Sequence, residues 1–79
     1  MNEIEQLILK FFEEKGKADG LTEDTDLFKG GYVNSLFALE MVMYLEDTFQ
    51  IKIKNKDINE KNFKTIRSIA EVVQKSNKK

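Results

Sequence analysis

Residues 30–49 read GGYVNSLFALEMVMYLEDTF, and this stretch decides the fold of the chain. From Ser35 to Phe49 it contains neither glycine nor proline, so no helix-breaking residue interrupts it. Asn34 stands just before, where its side-chain oxygen can accept a hydrogen bond from an otherwise unpaired amide of a first helical turn. The stretch therefore predicts a helix that is capped by Asn34 and runs to about Phe49.

This predicted helix is apolar on two faces. At about 100° per residue, one arc holds enough apolar side chains for a core face, namely Ala38, Met41, Val42, Leu45 and Phe49. The opposite arc holds a second apolar stripe, made of Leu36, Leu39 and Met43 and bordered by Glu40, Glu46 and Asp47. A helix in a small bundle cannot bury both faces. The second stripe is either an exposed docking surface or is covered by the last helix or the long loop.

The composition bounds both the size and the chemistry of the protein. Its 79 residues make one small globular domain, residues 1–79, with 41% hydrophobic and 34% charged residues. The chain has no cysteine and no histidine, which excludes disulfides, thiolate nucleophiles and histidine-based triads. Asp24 and Asp26 lack the ligand spacing of a calcium loop. We therefore expect no catalytic residues, no metal site and no enzyme.

The sequence predicts no membrane span, because no apolar run approaches the roughly 20 residues that a spanning helix needs. The N-terminal residues MNEIEQL are acidic, whereas a secretory signal begins with basic residues. We expect a monomeric cytoplasmic protein.

Two more helices are predicted on either side of the central one. The first runs from about Asn2 to Lys15, with Asn2 and Glu5 at capping-box spacing and with one apolar face, Ile4, Leu7, Ile8, Phe11 and Phe12. The last helix is capped by Thr65 and repeats apolar residues at Ile66, Ile69, Ala70 and Val73. The polar residues Ser76–Lys79 are expected to form a frayed tail.

The connections are also distinctive. The loop Gly16–Val33 is long enough to contain a helical turn of its own near Thr22–Leu27. Gln50–Asp57 is predicted to be extended without a strand partner, and Asp57 and Glu60, again at capping-box spacing, predict a single helical turn through Phe63. The fold class is therefore all-α: a small bundle of three main helices plus a short helical turn.

Charge is unevenly distributed along the chain. Between residues 19 and 47 seven carboxylates face only one lysine, whereas from residue 48 onward nine basic residues face three acidic ones. The acidic part indicates either a basic partner or merely a solvated surface. The basic part raises the alternative of a nucleic-acid module. Against that alternative, the sequence pI is about 5.4 and no recognition helix is visible.

Ser35 occupies the first position of the predicted central helix. A phosphate group carried there would lie at the positive end of the helix dipole, beside unpaired backbone amides. Without a histidine base, Ser35 is not expected to act as a nucleophile of an active site. A plain structural role at the helix start is the alternative.

Residues 31–36, Gly31-Tyr32-Val33-Asn34-Ser35-Leu36, resemble the Gly-x-x-Asp-Ser-Leu run of the acyl carrier protein family, whose members bind phosphopantetheine. The resemblance extends over nearly the whole chain and includes Asp26-Leu27-Phe28 and residues 62–66. It implies that Ser35 is the attachment point of a 4'-phosphopantetheine arm derived from coenzyme A, and that Asn34 caps the helix beside it. The arm would hold an acyl or aminoacyl group as a thioester, either in a specialised biosynthetic pathway or in fatty acid synthesis.

The resemblance also implies a set of partners. A phosphopantetheinyl transferase would attach the arm, an acyl- or aminoacyl-loading ligase would charge it, and a downstream synthase or transferase would receive the cargo. Six residues are expected to bind these enzymes: Leu36, Leu39, Glu40, Met43, Glu46 and Asp47. Asn34 replaces the family's usual aspartate, and the basic C-terminal part is more typical of free-standing carriers. The alternative is an unmodified helical adaptor that uses the exposed face of the central helix.

Overall fold

The computed structural model describes residues 2–76, which form three α-helices and one short 3-10 turn. Helix α1 spans Glu3–Glu14, α2 spans Ser35–Phe49, the 3-10 turn spans Asn55–Asp57, and α3 spans Ile66–Ser76. No strand occurs within residues 2–76. The predicted all-α bundle is confirmed. Of the predicted tail, Ser76 is the last residue of α3, and residues 77–79 lie outside the described part of the chain.

The first and last helices begin where the sequence predicts. The Asn2 side chain accepts a hydrogen bond from the Glu5 backbone N–H, and the Glu5 carboxylate accepts one from the Asn2 N–H, both at 2.8 Å. This reciprocal capping box pairs two amides that the helix itself leaves unpaired. At the start of α3, the Thr65 hydroxyl accepts from the Ser68 N–H at 3.0 Å.

Helix α1 packs against both α2 and α3, and the core lies between the three. Side chains from every helix and from the long loop reach zero exposure in it, including Ile8, Phe12, Leu27, Met41, Leu45, Ile66 and Ile69. Apolar burial of this kind is the main favourable contribution to folding. All four predicted core residues of α3 are buried.

The core face of α2 is wider than the predicted arc. Phe37 is buried, and its ring centroid lies 5.3 Å from those of both Phe11 and Phe12. Tyr44 packs against Phe11, with ring centroids 4.8 Å apart, and its hydroxyl donates a hydrogen bond to the Leu7 carbonyl at 3.0 Å. Helix α1 therefore covers a side of α2 that the periodicity alone leaves unassigned. Phe49, predicted to belong to the core, is only half-buried.

The long loop is anchored at Leu27 rather than by a helix of its own. The Leu27 N–H donates to the Lys64 carbonyl at 2.7 Å, and its own carbonyl accepts from Tyr32 and Val33. The predicted helical turn at Thr22–Leu27 does not form as a helix. Instead a hydrogen-bonded turn joins Thr22 and Thr25 through their hydroxyls and backbone, since these side chains compete with helical bonding.

The turn predicted from Asp57 to Phe63 is wrong in its starting point. The Asp57 side chain is buried, and one of its oxygens lies 3.3 Å from the Lys75 ammonium, so Asp57 binds the end of α3 instead of capping a turn. The turn begins two residues later. Asn59 caps it, accepting from the Asn62 N–H at 2.9 Å, and its carbonyl accepts from the Phe63 N–H.

A surface ion pair joins the long loop to α3, and it leads to a prediction about the pKa of Asp24. The Arg67 guanidinium donates to both oxygens of Asp24, at 2.8 and 3.1 Å, and this hydrogen bonding lowers the pKa of Asp24 below its ordinary value. This pair stabilises the folded protein slightly at any pH above the ordinary pKa of an aspartate. The stabilisation is lost as the pH falls through the lowered pKa of Asp24, because the carboxylate is then protonated. In Arg67→Gln we expect the Asp24 pKa to rise, as measured by NMR titration of its carboxyl carbon. An unchanged Asp24 pKa in that variant would contradict the ion pair.

Candidate functional site

The end of the long loop holds the start of α2 in a defined position. Gly31 has a φ of 77°, a region that favours glycine, and Val33 is buried at 5% exposure. Gly30 lies so close to Tyr32 that an added Cβ would meet the Tyr32 ring at 2.7 Å. The chain therefore turns through two glycines, anchors at Val33 and enters the helix at Asn34.

Asn34 caps α2 as the sequence predicts. Its backbone is extended, its side-chain oxygen accepts from the Phe37 N–H at 2.8 Å, and its carbonyl accepts from the Ala38 N–H at 2.9 Å. Two of the first amides of the helix are thereby paired. Those of Ser35 and Leu36 have no acceptor among residues 2–76.

Ser35 is exposed and is the first residue of α2. The first turn of α2 carries no acidic side chain. Unpaired amides, the positive end of the helix dipole and a first turn without acidic side chains all fit a phosphate ester on the Ser35 hydroxyl.

An open cleft of about 310 Å³ begins at Ser35 and runs between α2 and the segment before α3. Its walls are largely apolar and consist of Phe28, Ala38, Leu39, Ile58 and Phe63. Asn59 and Glu60 are the polar residues that line it together with Ser35. Phe28, part of the Asp26-Leu27-Phe28 run, is half-buried and forms part of this wall. A flexible chain attached to Ser35 can therefore lie against apolar surface without entering the packed core.

The second apolar stripe of α2 is exposed. Leu36, Leu39 and Met43 are 68%, 54% and 70% accessible, and they are the large hydrophobic side chains exposed within residues 2–76. The alternative in which α3 or the long loop covers the stripe is wrong. Three exposed apolar side chains on one helical face, next to Ser35, form an exposed apolar surface.

The three predicted acidic residues around this stripe differ in their surroundings. Asp47 is exposed, and Glu40 is exposed with only a distant ion pair, 3.9 Å, to Lys15. Glu46 is half-buried, and one of its oxygens accepts a hydrogen bond from the Ile53 N–H at 2.9 Å. Glu40 and Asp47 are thus free to meet a partner, whereas Glu46 also holds the loop after α2.

The sequence does not place three of the residues that lie beside Ser35 next to it. Ile58, Asn59 and Phe63 reach the cleft because the chain after α2 folds back toward the beginning of that helix. Their spacing from Ser35 follows no motif, and only the tertiary fold brings them there. Phe63 contributes to the cleft while remaining 1% exposed.

The cap makes a separate prediction. Replacing Asn34 by alanine leaves the Phe37 amide without its acceptor, and this is expected to lower the free energy of unfolding by about 1 kcal/mol. Asn34→Asp keeps the acceptor and should retain stability. Urea denaturation of both variants tests this, and equal stability of wild type and Asn34→Ala would show that the cap contributes nothing.

Comparison with known proteins agrees with this geometry. Residues 2–73 match the family model described as "Phosphopantetheine attachment site". The D-alanyl carrier proteins of Streptococcus pyogenes serotypes M5, M49 and M1 are each 30% identical to this chain over 73 residues, covering 90% of this chain and 91% of the relative. No solved structure gives a significant match.

A small helical bundle that matches this family model and is 30% identical to carrier proteins is itself a carrier protein rather than an enzyme. The chain belongs to the phosphopantetheine-binding carrier protein family, whose members carry covalently attached 4'-phosphopantetheine. Among residues 2–76, no helix is both long and apolar enough to span a bilayer.

Proposed function

We propose that Ser35 carries the 4'-phosphopantetheine arm and that the protein delivers an aminoacyl thioester to partner enzymes. The observation that carries this proposal is the exposed Ser35 hydroxyl at the first position of α2, beside two unpaired amides and an open apolar cleft. When bound, the arm supplies a terminal thiol, which this cysteine-free chain lacks. The proposed place of action is the cytoplasm, where coenzyme A is available as the donor.

The side chains around Ser35 have positioning roles in this proposal. The amides of Ser35 and Leu36 would stabilise the negative charge of the phosphodiester, and Asn34 would keep them aligned by capping the turn. The apolar wall formed by Ala38, Leu39 and Ile58 would support the arm between encounters. No residue of the chain is required to break or form the thioester, because that chemistry belongs to the partners.

We propose D-alanine as the cargo, on the basis of the D-alanyl carrier proteins that the chain resembles. The loading partner would then be a ligase that activates the amino acid before transfer to the thiol. The test is to convert the protein to its holo form and to offer it, in separate reactions with ATP, a D-alanine-activating ligase with D-alanine or a fatty-acid-activating ligase with a medium-chain fatty acid, and to record intact masses. A D-alanyl adduct on the holo protein supports the proposal, and exclusive fatty acyl loading assigns the carrier to fatty acid metabolism instead.

Docking is proposed to use the exposed stripe of α2 and its acidic border. The double variant Glu40→Lys, Asp47→Lys reverses the negative charge at two exposed positions that would attract a basic partner. We expect the rate of association with the loading ligase to fall by about tenfold at low ionic strength, with a smaller difference at high salt. Stopped-flow fluorescence measures this rate.

The matched control for that variant is Glu13→Lys with Glu14→Lys, which makes the same charge change on exposed positions of α1. A comparable loss in both variants would assign the effect to net charge rather than to the α2 face. The exposed stripe also keeps open the unmodified adaptor as a second function. An adaptor would bind its partner equally well after Ser35→Ala and would receive no arm.

A further inference from the structure

A second cleft lies on the other side of the segment that follows the 3-10 turn. Its volume is about 160 Å³, and its lining is almost entirely basic: Lys52, Lys54, Lys56, Asp57, Lys75 and Ser76. Asp57 lines this cleft, and the next residue, Ile58, lines the one beside Ser35. The two clefts share no lining residue, so the basic cleft is separate from the carrier site.

The local fold explains why these lysines converge. Ile53 is buried at 4% exposure and is held by the Glu46 carboxylate, while Lys52 and Lys54 on either side of it are exposed. This is the alternation expected of an extended segment with one buried face. Lys56 follows in the 3-10 turn, and the last turn of α3 adds Lys75 from across the cleft.

The charges in this cleft are not balanced by the protein. The Asp57 carboxylate, 6% exposed, pairs with Lys75 at 3.3 Å. Within residues 2–76, no carboxylate lies within 4 Å of the ammonium groups of Lys52, Lys54 or Lys56. Three like charges that line one small cleft repel each other, and a bound anion would relieve that repulsion.

The composition of the cleft indicates the class of anion. It has no arginine, aromatic or aliphatic lining residue, so it lacks the anchors typical of protein interfaces and the stacking surfaces of single-strand nucleic-acid sites. Lysine binds phosphate as a compact point charge, and the four lysines of this cleft supply such charges from two segments of the chain. The volume equals that of roughly five waters in the liquid, enough for one or two phosphate groups.

We propose that Lys52, Lys54 and Lys56, with Lys75 held by Asp57, form a phosphate-binding site. The phosphate can come from a free oligophosphate or from the headgroup of an anionic lipid. The site does not depend on Ser35 or on the arm, so it stands apart from the proposed carrier function.

The test uses the full chain and two probes at low ionic strength. Inorganic tripolyphosphate is titrated by NMR and calorimetry, and binding to vesicles of phosphatidylglycerol mixed with phosphatidylcholine is measured by sedimentation, with pure phosphatidylcholine as reference. The cleft variant is one protein that carries all three substitutions Lys52→Gln, Lys54→Gln and Lys56→Gln. It keeps the Asp57–Lys75 pair. The matched control carries the same change at three exposed lysines outside the cleft, Lys10→Gln, Lys29→Gln and Lys61→Gln.

We expect the cleft variant to bind about a hundredfold more weakly, and the control to bind within a fewfold of wild type. Loss of tripolyphosphate binding alone assigns a free phosphate, and loss of vesicle binding alone assigns a lipid headgroup. Equal weakening in both variants, or no binding of either probe by the wild type, overturns the proposal. Ser35→Ala is expected to bind both probes as the wild type does, so failure of the carrier function would be recognised separately.

Discussion

Ser35→Ala is expected to abolish attachment of the arm completely. When wild-type protein is incubated with coenzyme A and a broad-specificity phosphopantetheinyl transferase, its intact mass should increase by one phosphopantetheine, and the variant should show no increase. The physical reason is that the alanine removes the only hydroxyl at the exposed start of α2. Intact-mass spectrometry over a time course measures both proteins.

A second serine provides the control for this experiment. Ser76→Ala removes a hydroxyl at the end of α3 and should be modified at the wild-type rate. Because Ser35 is exposed, its replacement should leave the thermal unfolding midpoint nearly unchanged, so a loss of modification cannot be assigned to unfolding. An adduct of equal yield on Ser35→Ala would show that the arm is attached elsewhere.

Leu45→Ala is expected to have the largest effect on stability that we predict for α2. Leu45 is fully buried, and truncating such a leucine creates a cavity that lowers the free energy of unfolding by about 2–5 kcal/mol. A domain of this size has a total stability of about 4–12 kcal/mol, so a large part of it would be lost. Urea denaturation followed by circular dichroism measures the change.

Leu36→Ala is the matched control, since it makes the same substitution on the opposite face of the same helix. Leu36 is 68% exposed, and its truncation should change the free energy of unfolding by less than about 0.5 kcal/mol. The pair therefore separates the buried face of α2 from its exposed face. If Leu36→Ala were as destabilising as Leu45→Ala, the stripe of Leu36, Leu39 and Met43 would have to be buried.

The helices could be predicted because their signals are local. Each helix start is determined by a few neighbouring residues, because a side chain there pairs an amide of the first turn. These side chains are Asn2 with Glu5 in α1, Asn34 in α2 and Thr65 in α3. For Leu36 and its neighbours the sequence left two alternatives, exposure or cover by the last helix or the long loop, and the structure shows exposure. A helix with apolar residues on both arcs has more apolar surface than a three-helix domain can cover.

The remaining features depend on contacts between distant segments. Asp57 has the spacing of a cap, but burial next to Lys75 determines its role, and that contact joins residues 18 positions apart. Phe37 is buried because α1 happens to cross that side of α2. Glu46 was predicted to bind partners, and the structure shows its hydrogen bond to Ile53, which no periodicity reveals.

The most direct test of the central claim is peptide mapping by mass spectrometry of the protein purified from its native host. The account predicts phosphopantetheine on the peptide that contains Ser35, with a fraction of the thiol carrying a thioester-linked amino acid that hydroxylamine releases. Protein that is unmodified in the host, or that carries the group on any other residue, would contradict the assignment of Ser35 as the carrier site.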